Sequence, residues 1–131
     1  MSSDRQPRAP TATPKTILVI DDSETIRQQV ASALEQAGFA VLTARDGVEG
    51  LERIERDAPA MVILDVNMPR MNGIELLESL DVRRTGLPVV LLTTEVQPSL
   101  MARARQAGAR GWLVKPFNVG QLVETVRRAV I

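Results

Sequence analysis

Met61-Val62-Ile63-Leu64 is an apolar run without polar alternation, and it stops abruptly on Asp65 before Val66-Asn67-Met68-Pro69. Four consecutive apolar residues suit a strand covered on both faces, as parallel sheets require. Pro69 and Asn72-Gly73 then mark a loop. The run therefore delivers a carboxylate to the end of a buried strand, where open parallel sheets place their ligand sites.

The arrangement recurs along the chain. Ile17-Leu18-Val19-Ile20 ends on Asp21-Asp22, Leu87 to Leu92 ends on Thr93-Thr94-Glu95, and Gly111 to Val114 ends on Lys115-Pro116. Phe39 to Thr43 supplies one more strand. Helical spacing fills the intervals: Ile26, Val30, Ala33, Leu34 and Ala37 up to Gly38; Val48, Leu51 and Ile54 up to Pro59; Ile74, Leu77 and Leu80; Leu100, Ala104 and Ala107 after Pro98; and Val119, Leu122, Val126 and Ala129. Asp22 and Ser23 suit the N-cap of the first helix.

Five strands alternating with five helices predict a doubly wound α/β domain, built from right-handed βαβ crossovers around a parallel sheet. One domain over residues 16–131 accounts for nearly the whole chain. Residues 1–15 carry three prolines and no apolar periodicity, which predicts a flexible tail.

Composition removes several classes of function. The chain has no histidine and no cysteine, so a His-based triad, a thiolate metal site and a disulfide framework are excluded. Sixteen basic residues balance sixteen acidic ones and aromatics make up 2%, so neither a net basic field nor a stacking platform points to nucleic acid. No apolar run is long enough for a membrane span or a signal core, and the expected location is the cytoplasm.

The polar residues all fall where apolar strands stop. That placement gathers Asp21, Asp22, Asp65, Thr93 and Lys115 around one crevice. Carboxylates that close repel, so either one holds a proton or a cation sits among them. Mg²⁺ suits such oxygens and commonly binds through one or two acids together with a phosphate, which Lys115 would face. A carboxylate in that setting can act as a nucleophile toward phosphorus. Each residue also has a plainer reading: Asp21-Asp22 as a helix cap, Thr93 as a turn residue, Lys115 as a solvated strand end and Trp112 as core filling. Arg103, Arg105 and Arg110 read as a solvated face rather than a binding patch.

Four motifs in order, Ile20-Asp21-Asp22-Ser23, Leu64-Asp65 through Gly73, Thr93-Thr94-Glu95 and Lys115-Pro116-Phe117, resemble the receiver domains of response regulators, in particular the stand-alone chemotaxis regulators of the CheY type. The resemblance implies a flavodoxin-like sheet of order 2-1-3-4-5 and a phosphoacceptor signalling module rather than an enzyme. It implies that Asp65 takes a phosphoryl group from a histidine kinase or phosphotransfer protein, and that Mg²⁺ is held by Asp22 and Asp65, by Asp21 through water and by the backbone carbonyl of Asn67. Thr93 and Lys115 would contact the phosphoryl group, Lys115 preceding a cis bond to Pro116. Trp112 would be the switch aromatic, at a position where tyrosine or phenylalanine is usual. Asn67, Thr94 and Glu95 occupy rate-tuning positions, Thr94 where a smaller residue is frequent. The changed surface would be that of the fourth helix, fifth strand and fifth helix, read by a motor component, a kinase or a phosphatase.

The rival is an enzyme. Haloacid-dehalogenase-like phosphatases also end their first strand on a nucleophilic aspartate, but their Asp-x-Asp pattern would fall on Asp21 and Ser23, and the second acid is missing. A dinucleotide-binding fold lacks its Gly-x-Gly-x-x-Gly after the first strand.

Overall fold

The computed structural model describes residues 14–69 and 71–130. Most of the stretch expected to form a flexible tail lies outside the described residues, whereas Pro14 and Lys15 are exposed and outside regular structure. The strands are β1 Thr16–Ile20, β2 Ala40–Ala44, β3 Met61–Asp65, β4 Val89–Thr93 and β5 Gly111–Val114. The helices are α1 Glu24–Gln36, α2 Gly47–Asp57, α3 Gly73–Leu80, α4 Val82–Thr85, α5 Pro98–Gln106 and α6 Val119–Val130. All strand pairs are parallel, in the spatial order β2-β1-β3-β4-β5. β3 therefore lies at the centre, between β1 and β4.

The unbroken apolar runs have their cause in the two covered faces. Leu18, Ile20, Val62, Leu64 and Leu91 point to one side, against Ile74, Leu77 and Ala104 of α3 and α5. Ile17, Val19, Ile63, Val90 and Leu92 point to the other, against Val30 and Leu34 of α1 and Leu122 and Val126 of α6. Successive strand residues alternate between faces, so a strand with helices on both sides needs apolar side chains at every position. Each fully buried leucine or isoleucine stabilises the fold by about 1.5–3 kcal/mol.

Local chemistry sets the element ends. Ser23 caps α1 by accepting from the Ile26 N–H at 3.2 Å, so the cap is Ser23 rather than Asp22. Asp46 and Asn72 cap α2 and α3 in the same way. Several expectations need correction. The strand after α1 starts at Ala40 rather than Phe39, and the fourth begins at Val89 rather than Leu87. The third helix breaks at Asp81, which adopts φ 51°, and one further turn, α4, follows it.

In α2 the expected stripe of Val48, Leu51 and Ile54 holds in part: Leu51 and Ile54 pack against the core, whereas Val48 does not and glycines lie on the sheet side instead. Val48 is 64% exposed, whereas Gly47 and Gly50 are buried. A Cβ on Gly50 would meet Ile20 Cδ1 at 2.5 Å, so the helix backbone approaches β1 more closely than any side chain would permit. Val119, assigned to the buried stripe of the last helix, is likewise 59% exposed.

Candidate functional site

β1, β3, β4 and β5 all end at the same edge of the sheet, and register decides which polar groups meet there. Asp65 is the last residue of β3 and pairs with Leu92, one residue before Thr93. Asp21 continues β1, its N–H bonding to the Ala44 carbonyl at 3.1 Å. The Lys115 N–H bonds to the Thr93 carbonyl at 2.7 Å, so the strand end that carries the ammonium is tied to the one that carries the hydroxyl. The peptide between Lys115 and Pro116 is cis.

These ties bring Asp21, Asp22 and Asp65 together, with one carboxylate oxygen from each lying within 4.8 Å of the others. Asp21 and Asp65 are buried, whereas Asp22 is exposed. Lys115 Nζ lies 3.0 Å from Asp21 Oδ2 and 3.3 Å from Asp65 Oδ1. It thus bridges the two buried acids.

The backbone positions the remaining oxygens. Asp21 Oδ1 accepts from the Ser23 N–H at 2.9 Å, and Asp65 Oδ1 accepts from the Asn67 N–H at 3.0 Å. Arg27, reaching back from the first turn of α1, donates to the Asp21 carbonyl at 2.7 Å and steadies the loop. Sequence reasoning missed Arg27, because its partner is a carbonyl, which leaves no trace in residue type.

Burial pushes the Asp65 carboxyl up to about 6; the Asn67 N–H opposes that rise, the charge of Asp21 adds to it and Lys115 again opposes it. For Lys115, burial acts to lower the pKa, but the Asp21 acceptor and the charges of Asp65 and Asp21 outweigh it and hold the ammonium above its ordinary value. Lys115 therefore stays charged at neutral pH, and Asp65 is poised to bind or release its proton just below it.

The other anticipated residues lie around this centre. Thr93 is 2% exposed, and its hydroxyl donates to the Glu95 carbonyl at 2.7 Å while accepting from the Glu95 N–H at 3.1 Å. The hydroxyl is thus engaged with its own loop. Asn67 Oδ1 accepts from the Thr94 N–H and hydroxyl at 3.4 and 3.3 Å, joining the loops after β3 and β4. Glu95 turns its carboxylate to Gln97 at 2.9 Å. Trp112 stands apart from the strand ends: it pairs with Leu91, is half-buried against the α5 side of the sheet, and has the Arg105 guanidinium 5.6 Å from its ring centroid.

Residues 17–127 match the family described as the response regulator receiver domain. The chain belongs to that family. It is a receiver domain of a two-component response regulator, and the family match decides between the receiver and the phosphatase that its sequence left as candidates. The receiver is 38% identical over 123 residues to the transcriptional regulatory protein PdtaR of Mycobacterium tuberculosis, covering 93% of this chain and 60% of PdtaR. It is 37% identical to the response regulator MprA of Mycobacterium leprae, covering 85% of this chain and 49% of MprA. The chain thus spans about half to three-fifths of the length of these relatives. Among solved structures, the chemotaxis response regulator CheY4 of Vibrio cholerae superposes with a TM-score of 0.83 at 40% identity, covering 91% of this chain and all of CheY4. Among the described residues, no helix is long and apolar enough to cross a membrane.

The receiver's acid pocket fits a hard divalent cation such as Mg²⁺. Three carboxylates converge there, two of them buried, and the Lys115 ammonium 3.0 Å from Asp21 Oδ2 already shows that the site draws a cation. The pocket also depends on Gly73, where the chain after β3 doubles back so that its N–H bonds to the Val66 carbonyl at 3.0 Å. A Cβ there would run into the carbonyl group of Asp65 and Cα of Val66, which are backbone and cannot rotate away. Gly73→Ala is expected to cost about 1–3 kcal/mol by overpacking. Urea unfolding checks the loss, and it should be accompanied by a shift of the Asp65 amide resonance.

Proposed function

We propose that Asp65 is the phosphoacceptor, taking a phosphoryl group from the phosphohistidine of a histidine kinase or phosphotransfer protein. What carries this reading is the bridge of Lys115 across two buried carboxylates, with a third acid within 4.8 Å. A carboxylate oxygen of Asp65 forms the new bond to phosphorus as the bond from phosphorus to the imidazole nitrogen breaks, and the leaving imidazole takes its proton from solvent. Lys115 faces the phosphoryl oxygens and offsets their charge. Asp22 and Asp65 directly, Asp21 through water, and the backbone carbonyl of Asn67 would hold Mg²⁺, which when bound neutralises charge on the transferring group.

The Thr93 hydroxyl has to leave its bonds to Glu95 before it can contact a phosphoryl group on Asp65. That reorientation moves the loop leading into α5. Trp112, on the adjacent strand, is the residue to respond, and the surface of α5, β5 and α6 is the output face. Asn67, Thr94 and Glu95 set how quickly the phosphoryl group is gained and lost, the bond between Asn67 and Thr94 lying at the pocket rim.

Signalling by contact with another protein, as in chemotaxis, is the favoured output, supported by the 40% identity to CheY4 over that protein's whole length. A second reading, control of transcription within a longer protein, is favoured by the likeness to PdtaR and MprA, each of which extends well beyond the matched region. Intact-mass spectrometry after incubation with acetyl phosphate tests the phosphoacceptor. One phosphoryl group should be gained with Mg²⁺ and none after chelation; equal labelling in both conditions would refute the role of the acid pocket.

A further inference from the structure

Overall neutrality conceals a separation of charge along the fold. Residues 14–81 hold thirteen acids and six bases, whereas residues 82–131 hold two acids and eight bases. The sheet thus has an acidic half around β1–β3 and a basic half around β4, β5 and their helices. Some of the basic side chains are already committed: Arg103 forks onto Glu78 with two bonds of 2.8 Å, Arg84 pairs with Asp81, and Lys115 belongs to the acid pocket. Arg105 and Arg110 have no carboxylate partner among the described residues. Among the described residues the carboxylate partner of Arg128 is Glu124 on its own helix, with both side chains largely exposed.

These three arginines surround one feature. Among the described residues β5 pairs with β4 alone, so its outer edge carries unpaired backbone groups. Along that edge runs an open cleft of about 460 Å³, walled by Thr125 and Arg128 of α6 and floored by Gly111 and Trp112 of the strand and by Arg110 just before it. Gly111 leaves one face of the sheet open beside that edge, with nothing within 4 Å of where a Cβ would stand. Arg105 covers Trp112, whose ring provides an apolar anchor with a polar edge.

We propose that the outer edge of β5 takes an extended acidic segment of a partner protein, its backbone adding to the strand and its carboxylates meeting Arg105, Arg110 and Arg128 around Trp112. The unpaired edge favours an extended segment over a helix. The basic half favours acid on the partner. Nucleic acid fits less well, because Trp112 is the one aromatic of the cleft and gives successive bases no stacking platform. The proposal names the partner chemistry of the output face and rests on the receiver reading only for its link to phosphorylation.

The test is an NMR titration of the ¹⁵N-labelled chain with a capped decapeptide of alternating glutamate and threonine. A lysine–threonine peptide and a single-stranded RNA of matched charge serve as comparators. The acidic peptide should shift the amides of Gly111, Leu113 and Thr125, and its affinity should fall with added salt. The double variant Arg105→Glu, Arg128→Glu should bind it roughly tenfold more weakly. Neither arginine of that variant bonds to the backbone in this structure, whereas Arg110, which donates to the Ala129 and Gly86 carbonyls, stays in place.

Unchanged affinity in the double variant, or equal binding of the lysine peptide, would overturn the proposal and leave the arginines as guards of an edge strand. Tighter binding of RNA to the same amides would replace the acidic segment with a polyanion. The same shifts on concentrating the protein alone would make a second copy the occupant. The titration needs no phosphorylation, so its failure beside normal labelling of Asp65 removes this surface and leaves the phosphoacceptor standing.

Discussion

Asp65→Asn is expected to abolish phosphoryl uptake from acetyl phosphate and, in chelator, to unfold at a higher temperature than the parent at pH 7. The second effect follows from the sign of the pKa shift. Burial lifts Asp65 from 3.8 to about 6, so between those values the folded chain holds a proton that the unfolded chain has released. Stability from this group is present in full below pH 3.8 and is lost as pH rises through 6. An amide of the same shape carries no charge to desolvate. The variant should therefore gain about 1–3 kcal/mol at pH 7, the lower figure if Lys115 already offsets most of the cost, and the gain should vanish near pH 4. A shift in Tm without loss of labelling would place the phosphoacceptor elsewhere.

Lys115→Ala is expected to act in the opposite direction and to be repaired by metal. Its ammonium lies within 3.3 Å of two buried carboxylates, and its removal leaves them facing each other with no compensating cation among the described side chains. Breaking a buried pair by removing one partner costs about 3–5 kcal/mol, reduced here to about 1–3 because Asp22 opens the pocket to water. The loss should be greatest above pH 6, where Asp65 is ionised, and should shrink on acidification, since the protonated acid no longer needs the cation. Mg²⁺ should restore more stability to the variant than to the parent. Thermal unfolding at pH 4.5 and pH 7.5, with metal and with chelator, provides the four values; a loss independent of both would mean that Lys115 acts through packing. If Asp65 is the phosphoacceptor proposed above, the phosphorylated variant should also respond less on the surface of α5, β5 and α6, as its ammonium links the end of β5 to Asp65.

Much of the fold was legible because its signals are local. Unbroken apolar runs named the five strands, since a doubly covered strand admits no polar alternation. Ser23, Gly38 and Pro59 marked where helices begin and end, and Pro69 with Asn72-Gly73 marked a loop. The rule that parallel sheets bind at their carboxyl edge then brings Asp21, Asp22, Asp65, Thr93 and Lys115 to one crevice from sequence alone. The sheet order rested on family resemblance, because neither local periodicity nor turn chemistry says which strands become neighbours. The misplaced positions have a shared cause. Val48 and Val119 satisfy helical spacing yet face solvent, because spacing gives the period of a helix and only contact with the sheet decides its rotation.

What the residues determined by themselves, then, was the class of fold and the inventory of the site, both of which follow from pattern within a few residues. The distribution of burial among the acids, the bridge of Lys115 to Asp21 and Asp65, the closeness of Gly50 to Ile20 and the join between Asn67 and Thr94 were decided only in the tertiary structure. Each depends on strand register and backbone approach between segments far apart in the chain. Those distances set the electrostatics, and with burial they lift the Asp65 carboxyl to about 6.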